Sequence, residues 1–257
     1  MESEELLLFA ADAARNMLEN GGETYRAEEI AMGIIASQGG AEPECFATNT
    51  GLMLSFTGED GKVHAVVRRI KRRRMNLEKV SRLDQMAQKM ASDRMSFDAA
   101  AREMDSIERL RERPAPIKVA AGAMGAGFFT LLFGGQLLDA VAAVVIGSLI
   151  ELILLAFQRT RLPEFLASLS GGVIAALASL ILHYVGLPIN TDVTIIGVIM
   201  LLVPGVAITN AIRDIIAGDL LAGLARGTEA FLAAAAISSG AGGAVALWRF
   251  LMPGVAR

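Results

Sequence analysis

The run Leu201-Leu-Val-Pro-Gly-Val-Ala-Ile-Thr-Asn-Ala-Ile-Arg-Asp-Ile-Ile-Ala-Gly-Asp219 gathers the side chains best placed to do chemistry. It opens as apolar helix of membrane grade and is interrupted at Pro204-Gly205. Pro204 has no N–H to offer the carbonyl of Met200, and Gly205 loosens the backbone at the same point. In a bilayer a carbonyl released in this way is tolerated only where protein or a water-filled cavity satisfies it. Interrupted helices at membrane depth are a recurrent way for transporters to build binding sites. Past the break, Thr209 and Arg213 share one helical face and Asn210 and Asp214 another, each pair being four residues apart. The guanidinium fork of Arg213 suits a carboxylate. Asn210 and Thr209 suit an amino or hydroxyl group, Asp214 suits a travelling proton, and Asp219 closes the run. The simpler alternative is a proline kink followed by a surface helix.

Those residues sit in the apolar half of a chain with two unlike parts. Of its 257 residues 53% are hydrophobic, and the mean hydropathy of +0.48 exceeds that of an ordinary soluble domain. Residues 1–116 hold most of the ionisable groups. From Ile117 onward the bases are Lys118, Arg159, Arg161, Arg213, Arg226, Arg249 and Arg257. The division places a polar domain at 1–116 and a membrane domain at 117–257. The net charge of −3 averages over both and says little about partners.

The second part contains five apolar segments, near 117–133, 140–157, 165–186, 193–212 and 228–250, with Thr228 placed to cap the last. Each has to approach about 20 residues to cross the hydrocarbon, and the fourth is ambiguous because Pro204 divides it. Glycines at 122, 125, 127, 171, 172, 240, 242 and 243 suit close helix packing. The loops 134–139 and 186–192 carry no base, whereas Gln158-Arg-Thr-Arg161 and the connection holding Arg213 and Arg226 do. The Lys/Arg bias therefore predicts a cytoplasmic N-terminus and an external C-terminus. Glu151, inside the second segment, belongs either to the ion pathway or to the inner interface beside Arg159. Asp139 and Asp192 read as interfacial or as part of an outer vestibule, and His183 as interfacial.

In the polar part, Leu6, Leu7, Ala10, Ala11, Ala14 and Leu18 recur with helical spacing, and Gly21-Gly22 ends that helix. Thr24 is placed to cap a second helix. Leu52, Leu54, Phe56 and then Val63, Ala65, Val67 alternate around Gly58-Glu-Asp-Gly61, which predicts a β-hairpin within 45–69. Asn76 and Ser96 each open an amphipathic helix, and the two helices suit a hairpin. The run Arg68–Arg74 lacks interleaved aromatic residues and reads as a lipid-facing or cytoplasmic marker, not as a nucleic-acid site. Cys45 is the single cysteine, so no intrachain disulfide can form. No His/Cys cluster, P-loop or nucleophile elbow is present, and neither a metal nor a cofactor is expected. The acidic Met1-Glu-Ser-Glu-Glu5 lacks the basic region of a signal peptide.

The run from Leu202 to Ala230, together with Gly22-Glu-Thr-Tyr-Arg-Ala-Glu28, resembles the threonine/serine exporter (ThrE) family over nearly the whole chain. With only one membrane half, the chain resembles the split, YjjP-like type. The resemblance implies a soluble α+β N-terminal domain followed by an α-helical bundle of five transmembrane helices, the fourth broken by proline. It implies a secondary exporter of small amino acids or C4-dicarboxylates in the bacterial inner membrane, driven by an ion gradient, most simply of protons. It implies a hetero-oligomer with a smaller four- to five-span membrane protein, in contact with lipid. Pro204, Gly205, Asn210, Arg213, Asp214, Gly218 and Asp219 are then signature positions, with Glu23, Thr24, Tyr25, Arg26 and Glu28 as the N-terminal signature. The alternatives are a membrane-tethered hydrolase using Glu23, Tyr25, Arg26 and Glu28, or a regulatory adaptor.

Overall fold

A computed structural model describes residues 3–71, 74–92, 94–160 and 163–252, with backbone alone for 158–160 and 164. Arg72 and Arg73 of the basic run, the Arg159 side chain, Arg161 and Arg257 lie outside the described residues. The chain divides into two compact units. The first is Met1–Glu112 with Val206–Thr228, and the second is Arg113–Gly205 with Glu229–Arg257.

The first unit begins with helices α1 (Ser3–Glu19) and α2 (Thr24–Ser37). The apolar face of α1 is buried as its spacing predicts, and Gly21, at φ 91°, turns the chain out of the helix. Strands β1 (Ala41–Thr48), β2 (Gly51–Thr57) and β3 (Val63–Arg69) form an antiparallel sheet in that order. The β2–β3 hairpin is the expected one, with Gly61 at φ 71° in its turn. Strand β1 extends the expected hairpin to a third strand. Pro43 hides it from a period-two reading, since it sits on the sheet edge at a register shift between Ala41 and Glu44. Helices α3 (Leu77–Ala91) and α4 (Phe97–Glu108) follow. Asn76 caps α3 by accepting the Lys79 N–H at 3.2 Å, whereas Ser96 makes no side-chain bond to α4. Met17, Ile34, Ile35, Leu52, Leu54, Leu83, Met86, Met90 and Ile107 are fully buried in one core, with the methionines as filler. The basic run is partly consumed in ion pairs, Arg68 to Asp12 at 3.1 Å and Arg74 to Glu112 at 2.6 Å.

The second unit holds α5 (Ala115–Leu132), α6 (Leu137–Thr160), α7 (Glu164–Tyr184), α8 (Thr191–Ile199) and most of α10 (Leu220–Leu251); α9 (Gly205–Ala217) lies almost wholly in the first. Among the described residues four helices, α5, α6, α7 and α10, are long and apolar enough to cross a membrane. Their large apolar side chains, such as Phe128, Leu132, Val145 and Phe250, point outward. Alanine and glycine lie inward, as expected where lipid is the solvent. The fifth expected membrane-length helix is not formed. Its residues divide at Met200–Pro204 into α8 and α9, and the 9 residues of α8 reach only about 14 Å. The last helix starts at Leu220, not at Thr228, whose hydroxyl bonds the Leu224 carbonyl in mid-helix.

Glycine sets how closely these helices approach. A Cβ on Gly172 would collide with the Ile237 carbonyl, and one on Gly240 with the Leu169 carbonyl, so α7 and α10 touch backbone to backbone. A Cβ on Gly242 would meet nothing. Gly240→Leu is therefore expected to destabilise the detergent-solubilised chain by roughly 1–3 kcal/mol. Gly242→Leu, two residues along and facing open space, is expected to leave the thermal midpoint unchanged. Equal midpoints for the two variants would contradict the backbone contact.

Candidate functional site

The sequence Gly21-Gly-Glu-Thr24 forces a tight connection between α1 and α2. A side chain at Gly22 would run into Met17. Four successive residues of this connection bond the 206–228 segment of the same unit. The Gly21 carbonyl accepts from Asn210 Nδ2 at 2.9 Å and the Gly22 carbonyl from Arg226 Nη2 at 2.8 Å. Glu23 Oε1 accepts from Arg213 Nη1 at 2.5 Å. Thr24 donates its N–H to Asp214 Oδ1 at 3.1 Å and its hydroxyl to Oδ2 at 3.3 Å.

The expected capping role of Thr24 is thereby corrected. Thr24 is the first residue of α2, and Glu23 before it makes no side-chain bond to the helix. The first N–H groups of a helix need acceptors from outside it. Asp214, fully buried, supplies one from a helix far away in sequence. A carboxylate is favoured there by the helix dipole. Arg226 Nε lies 3.3 Å from Asp214 Oδ2 and donates to Asn49 Oδ1 at 2.9 Å, while Asn49 Nδ2 donates to the Ala222 carbonyl at 3.3 Å. One guanidinium thus ties α10, the β1–β2 turn and the α1–α2 connection together.

Burial pushes the Asp214 carboxyl above the ordinary carboxylate range, and neighbouring Asp219 adds to this; Arg226 and the two Thr24 bonds pull the other way without reversing it. Burial likewise raises Glu28, whose Oε1 accepts the Ala47 N–H at 2.6 Å, and the Asp219 and Asp214 carboxylates add to the rise. The Asp219 N–H bonds the Asp214 carbonyl at 2.8 Å, and its buried Oδ2 meets no hydrogen-bond partner among the described residues. The remaining signature residues serve other contacts. Arg26 grips Asp84 of α3 through a fork at 2.9 and 3.0 Å, and Tyr25 and Thr209 are partly or largely exposed. The hydrolase constellation of Glu23, Tyr25, Arg26 and Glu28 does not converge, since Glu23, Arg26 and Glu28 bond α9, α3 and β1 respectively. Burial also drives the Cys45 thiol up to about 12, as suits an idle thiol. Among the described residues no group of three or more His, Cys, Asp or Glu is disposed to hold a metal ion.

Glu151, Pro204 and Gly205 belong to the second unit. There α8 runs antiparallel to α5. Gly197 faces Thr130, and Leu201 lies against Gly125 and Gly147, halfway along α5. Leu202 lies against Gly171. The helical ladder ends at that height, where Gly205 N–H bonds the Val203 carbonyl at 2.8 Å in place of a helical turn. Glu151 packs against Gly122, where any Cβ would collide with its side chain. Asp139 is buried within the protein at the start of α6. It accepts the N–H of Gln136 and of Asn190, each at 2.7 Å, and so joins the α5–α6 and α7–α8 connections. His183 Nδ1 lies 3.1 Å from the Ile189 carbonyl in its own connection.

Arg226 and Asn49 escaped the sequence reading as site residues. Arg226 counts there only as a loop base. Its position in the apolar run Leu220–Ala225 was the available signal, since an arginine among such residues needs a partner.

The family described as "Putative threonine/serine exporter" (ThrE) matches residues 8–248. A curated relative, the "Probable threonine/serine exporter" of Mycobacterium tuberculosis, is 27% identical over 179 residues. Those residues cover 68% of this chain and 33% of the relative, so the chain matches about a third of that protein's length. No solved structure matches.

Two outcomes follow from the buried pair. Arg226→Ala strands the Asp214 carboxylate and is expected to cost about 3–5 kcal/mol of stability, read as a lowered thermal midpoint in detergent. Arg226→Met combined with Asp214→Leu is expected to recover most of that loss. The second outcome concerns pH. A carboxyl that holds its proton more tightly folded than unfolded contributes its full stabilisation below the unfolded value of about 3.9. That contribution is lost as pH rises through the folded value. The wild-type midpoint should therefore fall relative to that of Asp214→Asn as pH rises from about 4 toward neutrality. A constant difference would contradict a raised Asp214.

Proposed function

Because the chain belongs to the threonine/serine exporter family, we propose that it is a subunit of a secondary active exporter of threonine, serine or a C4-dicarboxylate. It lies in the bacterial inner membrane, is driven by the proton gradient and works with a smaller membrane protein. The observation that carries this reading is the helix interrupted halfway along its bundle. α8 stops beside Gly125 and Gly147, Pro204 withholds a donor from the Met200 carbonyl, and Glu151 lies one helical turn along, beside Gly122. Unwound backbone next to an ionisable group inside a bundle of membrane-length helices is the usual anatomy of a transport site. α8 and the 200–204 link together make a fifth, broken crossing. That count keeps the N-terminus cytoplasmic and the C-terminus outside, in agreement with the basic loops. Residues 1–116 supply the cytoplasmic domain.

Within this reading Arg213 and Asp214 have paired roles. Arg213, half exposed and held by Glu23, offers a carboxylate-binding fork to the cargo. Asp214, buried against Thr24 with a raised carboxyl, takes the coupling proton. Proton uptake loosens Arg226 from Asp214, so the two signatures report protonation to each other.

Efflux from proteoliposomes with an imposed pH gradient tests the assignment, with the partner protein co-reconstituted. Arg213→Lys keeps the charge and loses the planar fork, and is expected to weaken apparent affinity for cargo. Glu23→Gln is expected to shift affinity in the same assay. Asp214→Asn is expected to leave efflux running without dependence on the gradient. Wild-type behaviour of all three, at equal reconstituted levels, would remove the assignment.

A further inference from the structure

Helix α9 has two contrasting faces. Asn210, Ala211 and Asp214 are buried within the first unit, and the bonds of Asn210 and Asp214 to Gly21 and Thr24 fasten this face to the α1–α2 connection. On the opposite face Ile208, Ile212, Ile215 and Ile216 are exposed, Ile216 to 80%. Gly218, at φ 98°, turns the chain, and Asp219 N–H bonds the Asp214 carbonyl as α9 ends. The exposed apolar series resumes at once with Leu220, Leu221 and Leu224, Leu221 at 72%. The ionisable residues of α9 are Arg213 and Asp214, and both are engaged by the first unit through Glu23, Thr24 and Arg226.

We propose that α9 and the first turns of α10 form an amphipathic anchor lying in the lipid–water interface, with Ile212, Ile216 and Leu221 among the acyl chains and the first unit fastened to the other face. The proposal does not depend on the identity of the cargo. Three observations select lipid as the occupant. First, α9 is 13 residues, about 20 Å, too short to cross about 30 Å of hydrocarbon, so an in-plane position satisfies its ends in the headgroup layer.

Second, the stripe continues into lipid-facing surface along one unbroken helix. α10 is 32 residues, about 48 Å, and exceeds the hydrocarbon by about 18 Å. The surplus falls at its beginning, because Arg226 and Glu229 lie there whereas Ala230–Trp248 holds no ionisable residue. Phe231 and Leu232, just beyond, are exposed apolar residues of a membrane-length helix. Third, Arg213 lies between the two faces with its guanidinium half exposed, in position to reach the headgroup layer while its stem runs along apolar surface.

The test uses the full chain in phosphatidylcholine–phosphatidylglycerol vesicles, in a Cys45→Ala background with single cysteines replacing Ile216 or Leu221. Each is labelled with an environment-sensitive fluorophore, and Glu59→Cys in the exposed β2–β3 turn reports water. The expected result is quenching at Ile216 and Leu221 by lipid-borne nitroxide near the headgroup, stronger than by nitroxide deep in the acyl chain. Quenching by aqueous iodide should be several-fold weaker there than at Glu59. Iodide quenching equal to that at Glu59 overturns the proposal in favour of a free surface. Protection from both quenchers overturns it in favour of a protein partner, and dominant deep quenching in favour of a buried span. As a check independent of substitution, the unmodified chain is irradiated in vesicles with lipids bearing a diazirine near the headgroup. Carbene insertion is expected within residues 208–224, and its absence overturns the proposal.

Discussion

Much of the first unit rests on one constraint: a carboxylate taken wholly out of water must be answered. Asp214 is fully buried, and its two oxygens meet the start of α2 and the guanidinium of Arg226. Desolvating the pair is costly, and only good geometry with further hydrogen bonds offsets it. The structure meets that condition by spending the rest of Arg226 on the Gly22 carbonyl and Asn49. The consequence is topological as much as energetic. Residues 206–228 are held to the front of the chain by polar bonds with direction, which fixes their register where a merely apolar contact would allow sliding.

Local pattern predicted local structure well. The apolar face of α1, the capped start of α3 and the β2–β3 turn all follow from spacing and turn chemistry within a few residues. Where the reading fell short, the deciding partner lay far along the chain. Thr24 has the residue type of a cap, but its hydroxyl serves a carboxylate 190 positions away. No periodicity encodes that. Arg226 is informative only once Asp214 is seen beside it. Strand β1 was obscured for a different reason: an edge strand can carry Pro43, Glu42 and Glu44 because part of it faces solvent.

The membrane helices show the same division. Their existence follows from apolar length, and most of the glycines foretold close packing, although Gly242 and Gly243 face open space. Length alone could not decide the fourth segment. Its residue count suffices for a crossing, but Pro204-Gly205 divides it at a height set by packing against Gly125, Gly147 and Gly171. Asp139 is the complementary case, a lone acid at a helix start whose burial stems from two loop amides that arrive from different connections.

The bond between Thr24 and Asp214 also sets a timetable for synthesis. The two residues are separated by 190 positions, and a ribosome adds about 5–20 residues per second, so the front of the chain waits on the order of 10–40 s for its capping carboxylate. During that interval α2 is without the acceptor that Asp214 provides, and the carbonyls of Gly21 and Gly22 are without Asn210 and Arg226. α5, α6 and α7 emerge before those residues do. The α1–α2 connection therefore gains its last bonding partners only after α5, α6 and α7 have been made.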